Sequence, residues 1–257
     1  MTAIVDLSGK RGLVVGVANQ HSIAAGCAAA FRQAGAEVAL TWLNDKALPH
    51  VRPVAEGLGA SLLGPCDVRE PGQLEDVFAQ IARDWGRLDF LLHSIAFAPR
   101  EDLHAGVIDC SAEGFAMAMD VSCHSFLRMA KLARPLMTDG GALLTVSFYG
   151  ADRVVEHYNL MGPVKAALES SVRYLAADLA GERIRAFAIS AGAVKTRAAS
   201  GIDRFDELLD RMRERTPAGQ LVSIDDIGKV AAFLASEAAA PMTGSVVFAD
   251  GGFHTMA

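Results

Sequence analysis

Residues 12–42 read GLVVGVANQHSIAAGCAAAFRQAGAEVALTW. An apolar run from Gly12 to Val15 stops at Gly16, and small and polar residues follow. An alanine-rich stretch of helical composition comes next, then a second apolar run from Glu37 to Trp42. Strand, turn, helix, strand is a βαβ unit, which implies parallel strands and a right-handed crossover. Short apolar runs recur at Ser61–Leu63, Leu88–His93, Ala142–Ser147, Ile184–Ile189 and Ser245–Phe248. Between them lie stretches with helical spacing over Pro71–Trp85, Gly114–Met137, Gly162–Leu179 and Asp225–Ser236. Near-continuous apolar strands separated by helices predict a parallel sheet covered on both faces. The expected class is α/β: a single doubly wound, Rossmann-like parallel sheet of about seven strands, as one domain over residues 1–257.

The composition excludes several functions. Hydrophobic residues make up 51% and charged residues 21% of 257 residues, which is globular rather than disordered. A formal net charge of −6 argues against nucleic acid as a partner. No apolar run reaches the roughly 18–20 residues of a membrane helix, so no membrane partner is expected. The N-terminus lacks the pattern of a signal peptide. The four cysteines show no metal-like or disulfide-like spacing, which predicts reduced thiols in a cytoplasmic protein. The seven histidines form no HExxH or close pair, so no metal is expected.

In doubly wound sheets the ligand sits outside the carboxyl ends of the strands. The first such turn is GVANQHSIA, residues 16–24. It lacks a strict GxGxxG, with Ser22 and Ala24 where glycines are usual. Gly16, Ser22 and Ile23 can still offer a small turn, a hydroxyl and helix-terminal N–H groups to a pyrophosphate. Alone, this turn reads equally well as a capped helix after a buried strand. Three further strand ends favour a dinucleotide. Asp67 and Val68 follow the third strand, where a carboxylate can accept from an adenine amino group. Ser94, Ile95 and Ala96 follow the fourth, with small residues where a ribose would lie. Gly192, Val194 and Thr196 follow the sixth, where backbone and a hydroxyl can meet a carboxamide. The second strand ends at Leu43, neither a carboxylate for the ribose hydroxyls of NAD nor an arginine for the phosphate of NADP. Asn44, Asp45 and Lys46 follow it. The reading is NAD(H), with NADP(H) left open.

The stretch FYGADRVVEHYNLMGPVK, residues 148–165, holds Tyr158 and, seven residues later, Lys165. With HSIA after the first turn, HSIAFAP at 93–99, YNLMGPVKAALESSVRYLAADL at 158–179 and ISAGAVKTRAASGI at 189–202, the chain resembles the enoyl-acyl-carrier-protein reductases. These are divergent members of the short-chain dehydrogenase/reductase superfamily. The resemblance runs from Gly9 to Gly252. Ordinary superfamily members use Tyr-x3-Lys; here that place is Met161, and the Tyr-x6-Lys spacing favours enoyl reduction over alcohol oxidation.

The resemblance implies hydride transfer from NADH to a trans-2-enoyl thioester carried on acyl carrier protein, in fatty acid synthesis. It gives Tyr158 the role of donor to the thioester oxygen and Lys165 that of holding the nicotinamide ribose and favouring a strong phenol donor. Phe148 stands where the family has a second catalytic tyrosine, with Tyr149 beside it. Leu43, Phe187 and Ala193 also depart from the family pattern. Phe97 and Ala98 are expected to touch substrate. A covering helical segment is expected at about 197–219, with Phe205, Leu208, Leu209 and Met212 on its apolar face. The helices over 114–137 and 162–179 resemble those that join subunits in this superfamily, which implies a homotetramer. The departures on the substrate side leave two alternatives: reduction of another activated alkene or carbonyl, and nucleotide binding without catalysis.

Overall fold

A computed structural model describes residues 4–196 and 204–256. Seven strands form one sheet: β1 (Arg11–Val15), β2 (Glu37–Trp42), β3 (Ser61–Pro65), β4 (Phe90–His93), β5 (Gly141–Phe148), β6 (Ile184–Ala191) and β7 (Ser245–Ala249). Their order is β3-β2-β1-β4-β5-β6-β7, and every pair is parallel. This is the doubly wound arrangement, with the chain reversing direction across the sheet between β1 and β4.

Side-chain alternation divides the core in two. Val14, Leu40, Leu92, Leu144 and Ile189 face one side. There they meet α1 (Ile23–Gln33), α2 (Leu48–Leu58) and α9 (Ile224–Ala235) through Phe31, Val51 and Ile227. Leu13, Leu91, Leu143 and Ala188 face the other. There they meet α3 (Gln73–Asp84), α6 (Ser125–Ala133) and α7 (Met161–Leu179) through Phe78, Phe126 and Leu168. Each fully buried side chain of this size stabilises the fold by about 1.5–3 kcal/mol. Because both faces are covered, the strands read as continuous apolar runs.

Two elements differ from the sequence reading. Helix α2 has no counterpart there, because Pro49 in its first turn and Pro53 inside it conceal the helical pattern. The single helix predicted over 114–137 is instead α5 (Ala112–Met119), a π-turn at Asp120–His124, then α6. At that turn Ser125 Oγ donates to the Val121 carbonyl at 2.6 Å, and Ser122 turns away to a neighbouring loop. A short helix, α4 (Arg100–His104), precedes α5. Helix α8 spans Phe205–Arg215 and lies in the expected covering segment, of which residues 197–203 fall outside the described residues. No described helix is long and apolar enough to cross a membrane.

Candidate active site

The first turn is built around a close approach of two strand ends. Gly16 has φ +109°, and a Cβ there would lie 2.1 Å from the Ser94 carbonyl oxygen. Ser94 N in turn donates to the Val15 carbonyl at 2.9 Å. Only glycine lets the β1 and β4 ends meet in this way. The Ser22 hydroxyl donates to the Asn19 carbonyl at 2.7 Å and accepts from Ala18 N at 3.4 Å. It therefore shapes the turn and makes no side-chain cap on α1. Among the described residues the Ile23 and Ala24 N–H groups, in the first turn of α1, have no acceptor. Such unpaired N–H groups at a helix start suit a pyrophosphate.

The other predicted cofactor residues also sit at strand ends. Leu43 follows β2, half exposed, with no polar atom to offer a ribose. The Asn44 side chain is committed to Ala47 N at 3.2 Å, at the entry to α2. Asp67 follows β3, and Arg69 grips both its carboxylate oxygens at 3.0 and 2.7 Å, which holds the carboxyl below its ordinary range. Val68 is buried beside it. The Arg69 guanidinium also lies over the exposed ring of Phe97, 5.5 Å from its centroid. Beyond Ser94, Ile95 packs into the core and Ala96 is exposed. After β6, Gly192 N donates to the Ala249 carbonyl at 2.8 Å, and a Cβ at Gly192 would meet Val222 at 2.8 Å. Val194 packs against the core, and Thr196 ends the described part of this loop.

Tyr158 lies in the turn before α7, between two residues in the left-handed region, His157 (φ 64°) and Asn159 (φ 40°). Each such residue costs about 1–3 kcal/mol, and this kind of strain gathers at functional sites. The Asn159 amide holds the turn by donating to the Leu103 carbonyl at 2.9 Å. The Tyr158 ring is 7% exposed and packs over Gly150, where a Cβ would come within 2.4 Å of it. Among the described residues its hydroxyl has no hydrogen-bond partner. Burial, reinforced by the Glu169 charge, pushes the phenol up. This reverses the sense expected from Lys165 alone: Tyr158 remains a protonated donor at neutral pH. Phe148 meets it edge-on, centroids 5.0 Å apart, where a second tyrosine was expected. Tyr149 turns away to meet Phe253 at 5.3 Å, so it supplies no substitute hydroxyl at Tyr158.

Lys165 is 5% exposed on α7, and its Nζ donates to the Val146 carbonyl at 2.6 Å. Burial lowers its pKa to about 8. His93, fully buried at the end of β4, bonds Thr145 Oγ1 and Ser125 Oγ, both at 2.8 Å. Since Ser125 gives its own proton to Val121, the network assigns the ring proton to Nε2, with Nδ1 accepting from Thr145. Burial, then the Lys165 charge, takes His93 down to about 3, so it stays neutral. Ser122 brackets Phe97, accepting from its N–H at 2.9 Å and donating to its carbonyl at 3.0 Å. Ala98 packs against the cluster that holds Tyr158. The sequence reading passed over His93, Ser122, Ser125 and Thr145.

A cavity of about 690 Å³ opens between the Tyr158 turn, α8 and the C-terminal segment, lined among others by Tyr149, Val155, Leu208, Met212 and Phe253. Val155 and Phe148 also pack in the Tyr158 cluster, so cavity and cluster adjoin.

Comparison with known proteins bears directly on this geometry. The family model described as enoyl-(acyl carrier protein) reductase matches residues 16–254. The chain is 46% identical over 250 residues to "Enoyl-[acyl-carrier-protein] reductase [NADH] 1" of Rhizobium meliloti, covering 97% of this chain and 92% of that protein. The chain belongs to the enoyl-acyl-carrier-protein reductase family. Its fold superposes on the crystal structure of the Aquifex aeolicus enoyl-[acyl-carrier-protein] reductase (NADH) with a TM-score of 0.94, at 45% identity and 99% coverage of both chains. The corresponding reductase from Anaplasma phagocytophilum, solved in complex with NAD, gives 0.93 at 43% identity, covering 100% of this chain and 97% of that one. In this enoyl-acyl-carrier-protein reductase family member, Tyr158 and Lys165 stand at the spacing expected from the sequence, and the place where a second tyrosine was expected holds Phe148, packed against Tyr158.

Proposed function

We propose that the protein reduces the carbon–carbon double bond of a trans-2-enoyl thioester, carried on acyl carrier protein, with NADH, as a step of fatty acid biosynthesis. The observation that carries the reading is the Tyr158–Lys165 pair. A buried phenol with an uncommitted hydroxyl precedes a buried amine by seven residues across the start of α7, and the phenol's cluster adjoins a cavity lined by both apolar and charged side chains. Family membership and the NAD named with the Anaplasma structure support the same reading.

NADH, when bound, supplies the hydride that reaches the β-carbon of the enoyl group. The first turn suits its pyrophosphate through the Ile23 and Ala24 N–H groups, with Gly16 and Ser22 shaping the loop. Val68, Ser94, Ile95 and Ala96 would line its adenosine half, and Gly192, Val194 and Thr196 its nicotinamide. Asp67 has lone pairs left beyond those Arg69 takes, which suit an adenine amino group. Lys165 would hold the nicotinamide ribose and keep the local potential positive. As negative charge gathers on the thioester oxygen, Tyr158 donates to it, and a proton from solvent completes the α-carbon. Phe97, Ala98 and the cavity wall from Leu208 and Met212 would shield the acyl chain from water. NADH consumption with enoyl thioesters of several chain lengths is the test. Turnover at one or more lengths is expected, and NADH binding with no turnover at any length would sink the reading.

The exposed apolar side chains Phe115 and Met117 on α5 and Tyr174 on α7 support a subunit interface on these helices. We place the protein in the cytoplasm as a homotetramer. Light scattering should return the mass of four chains, and a monomer at micromolar concentration would refute the assembly.

A further inference from the structure

Two consecutive residues of β5 are joined to two residues one turn apart on α7. Lys165 Nζ donates to the Val146 carbonyl at 2.6 Å, and Ser147 Oγ donates to Glu169 Oε1 at 2.5 Å. Residues i and i+4 share a helix face, so the Lys165 amine and the Glu169 carboxyl leave α7 side by side. The next residue of β5, Phe148, rests against Tyr158. The strand end that supports Tyr158 is thus held to the helix that carries Lys165 by a clamp with two arms, one of which ends in Glu169.

The chemistry of the second arm is informative. A neutral amide or hydroxyl could accept from Ser147 equally well. A carboxylate in this half-buried place costs desolvation, which raises its pKa. What it adds over a neutral group is charge beside Lys165. The groups acting on the pair are few. Arg173 on α7 and Asp152 before the Tyr158 turn act on Glu169, Glu169 itself acts on Tyr158, and Cys123 in the π-turn and His93 on β4 interact with Lys165. His93 is neutral; of the groups that favour the charged amine, Cys123 acts more strongly and Glu169, the carboxylate of the clamp, comes second.

We propose that Glu169 is a positioning residue for the reaction: through Ser147 it fixes the end of β5 against α7, and through its charge it holds Lys165 as a cation. This inference rests on the role given to Lys165 above. A merely structural tie would tolerate a neutral acceptor at position 169 with no change in pH dependence.

Glu169→Gln keeps the length and an oxygen for Ser147 and removes the charge. Lys165 deprotonation is expected to set an alkaline limb of the kcat/KM profile near pH 8, from its pKa of about 8. In Glu169→Gln that limb should move down by about 0.5–1 pH unit, so the rate at pH 8 falls about two- to fivefold. An acid limb due to Glu169 protonation should disappear. Ser147→Ala cuts the clamp and keeps the charge, so it should lower kcat with the alkaline limb in place. Should Glu169→Gln fail to accumulate, Glu169→Thr removes the same charge, and the same downward shift is expected. NADH affinity, titrated by fluorescence across the same pH range, reads the Lys165 limb without any enoyl substrate. An inactive parent enzyme would refute the enoyl reading, while this titration would still decide the role of Glu169. Profiles of the neutral variants that coincide with the parent in both measurements would overturn the proposal.

Discussion

Tyr158→Phe is expected to lower kcat for enoyl-thioester reduction by about 10²–10³, the usual cost of removing one donor to a developing oxyanion. NADH affinity should stay within about threefold, because the cofactor contacts assigned above lie elsewhere. The melting temperature should hardly change: the hydroxyl has no partner among the described residues, and the ring keeps its packing over Gly150 and against Phe148. The large loss follows from two local facts. Phe148 offers no second phenol, and Tyr149 is directed to Phe253. With Tyr158 gone, no neighbouring tyrosine hydroxyl takes over. Steady-state kinetics with NADH and an enoyl thioester measure this directly. A loss smaller than about fivefold would mean that the thioester oxygen is stabilised by another group.

How much could be read in advance followed the range of the interactions. The strands were legible because both sheet faces are covered, leaving runs such as FLL and ALL continuously apolar, with the buried polar residues His93, Thr145 and Ser147 confined to the strand ends beyond them. The Tyr158–Lys165 pair was legible because its spacing lies within one local segment. Helix α2 was hidden by Pro49 and Pro53, residues that ordinarily oppose a helix. The break between α5 and α6 was hidden for another reason. Ser122 finds its partner at Phe97, 25 residues away, so no pattern within 114–137 announces it. His93 with Thr145, 52 residues apart, and Ser147 with Glu169, 22 apart, are of the same kind. Each is a polar residue in an apolar segment whose partner only the folded sheet supplies. The missing hydroxyl at Phe148 was visible in sequence, but the opposite directions of Phe148 and Tyr149 became certain only with their ring partners in place.

Gly16→Ala is expected to damage both fold and cofactor binding, although it adds one methyl group. Residue 16 has φ +109°, where an L side chain is strained, and the new Cβ would lie 2.1 Å from a backbone oxygen of Ser94. Backbone cannot swing aside as a flexible side chain can, and Ser94 is held by its N–H bond to Val15. Strain and overpacking together should cost about 2–3 kcal/mol, or roughly 4–10 °C in melting temperature. The relief available is to part the β1 and β4 ends, which displaces the N–H groups of the first turn. NADH affinity should then fall by about tenfold or more, equivalent to roughly 1.4 kcal/mol. Gly57→Ala is the matched control. Gly57 lies within α2, and a Cβ added there would meet no atom within 4 Å, so a methyl should leave NADH affinity unchanged and stabilise slightly, by about 0.4–1 kcal/mol. Thermal melts and NADH fluorescence titrations of the two variants separate a general sensitivity to added methyls from a requirement at the strand crossover. Equal behaviour of the two would mean that the close contact of Gly16 with Ser94 does not shape the cofactor turn.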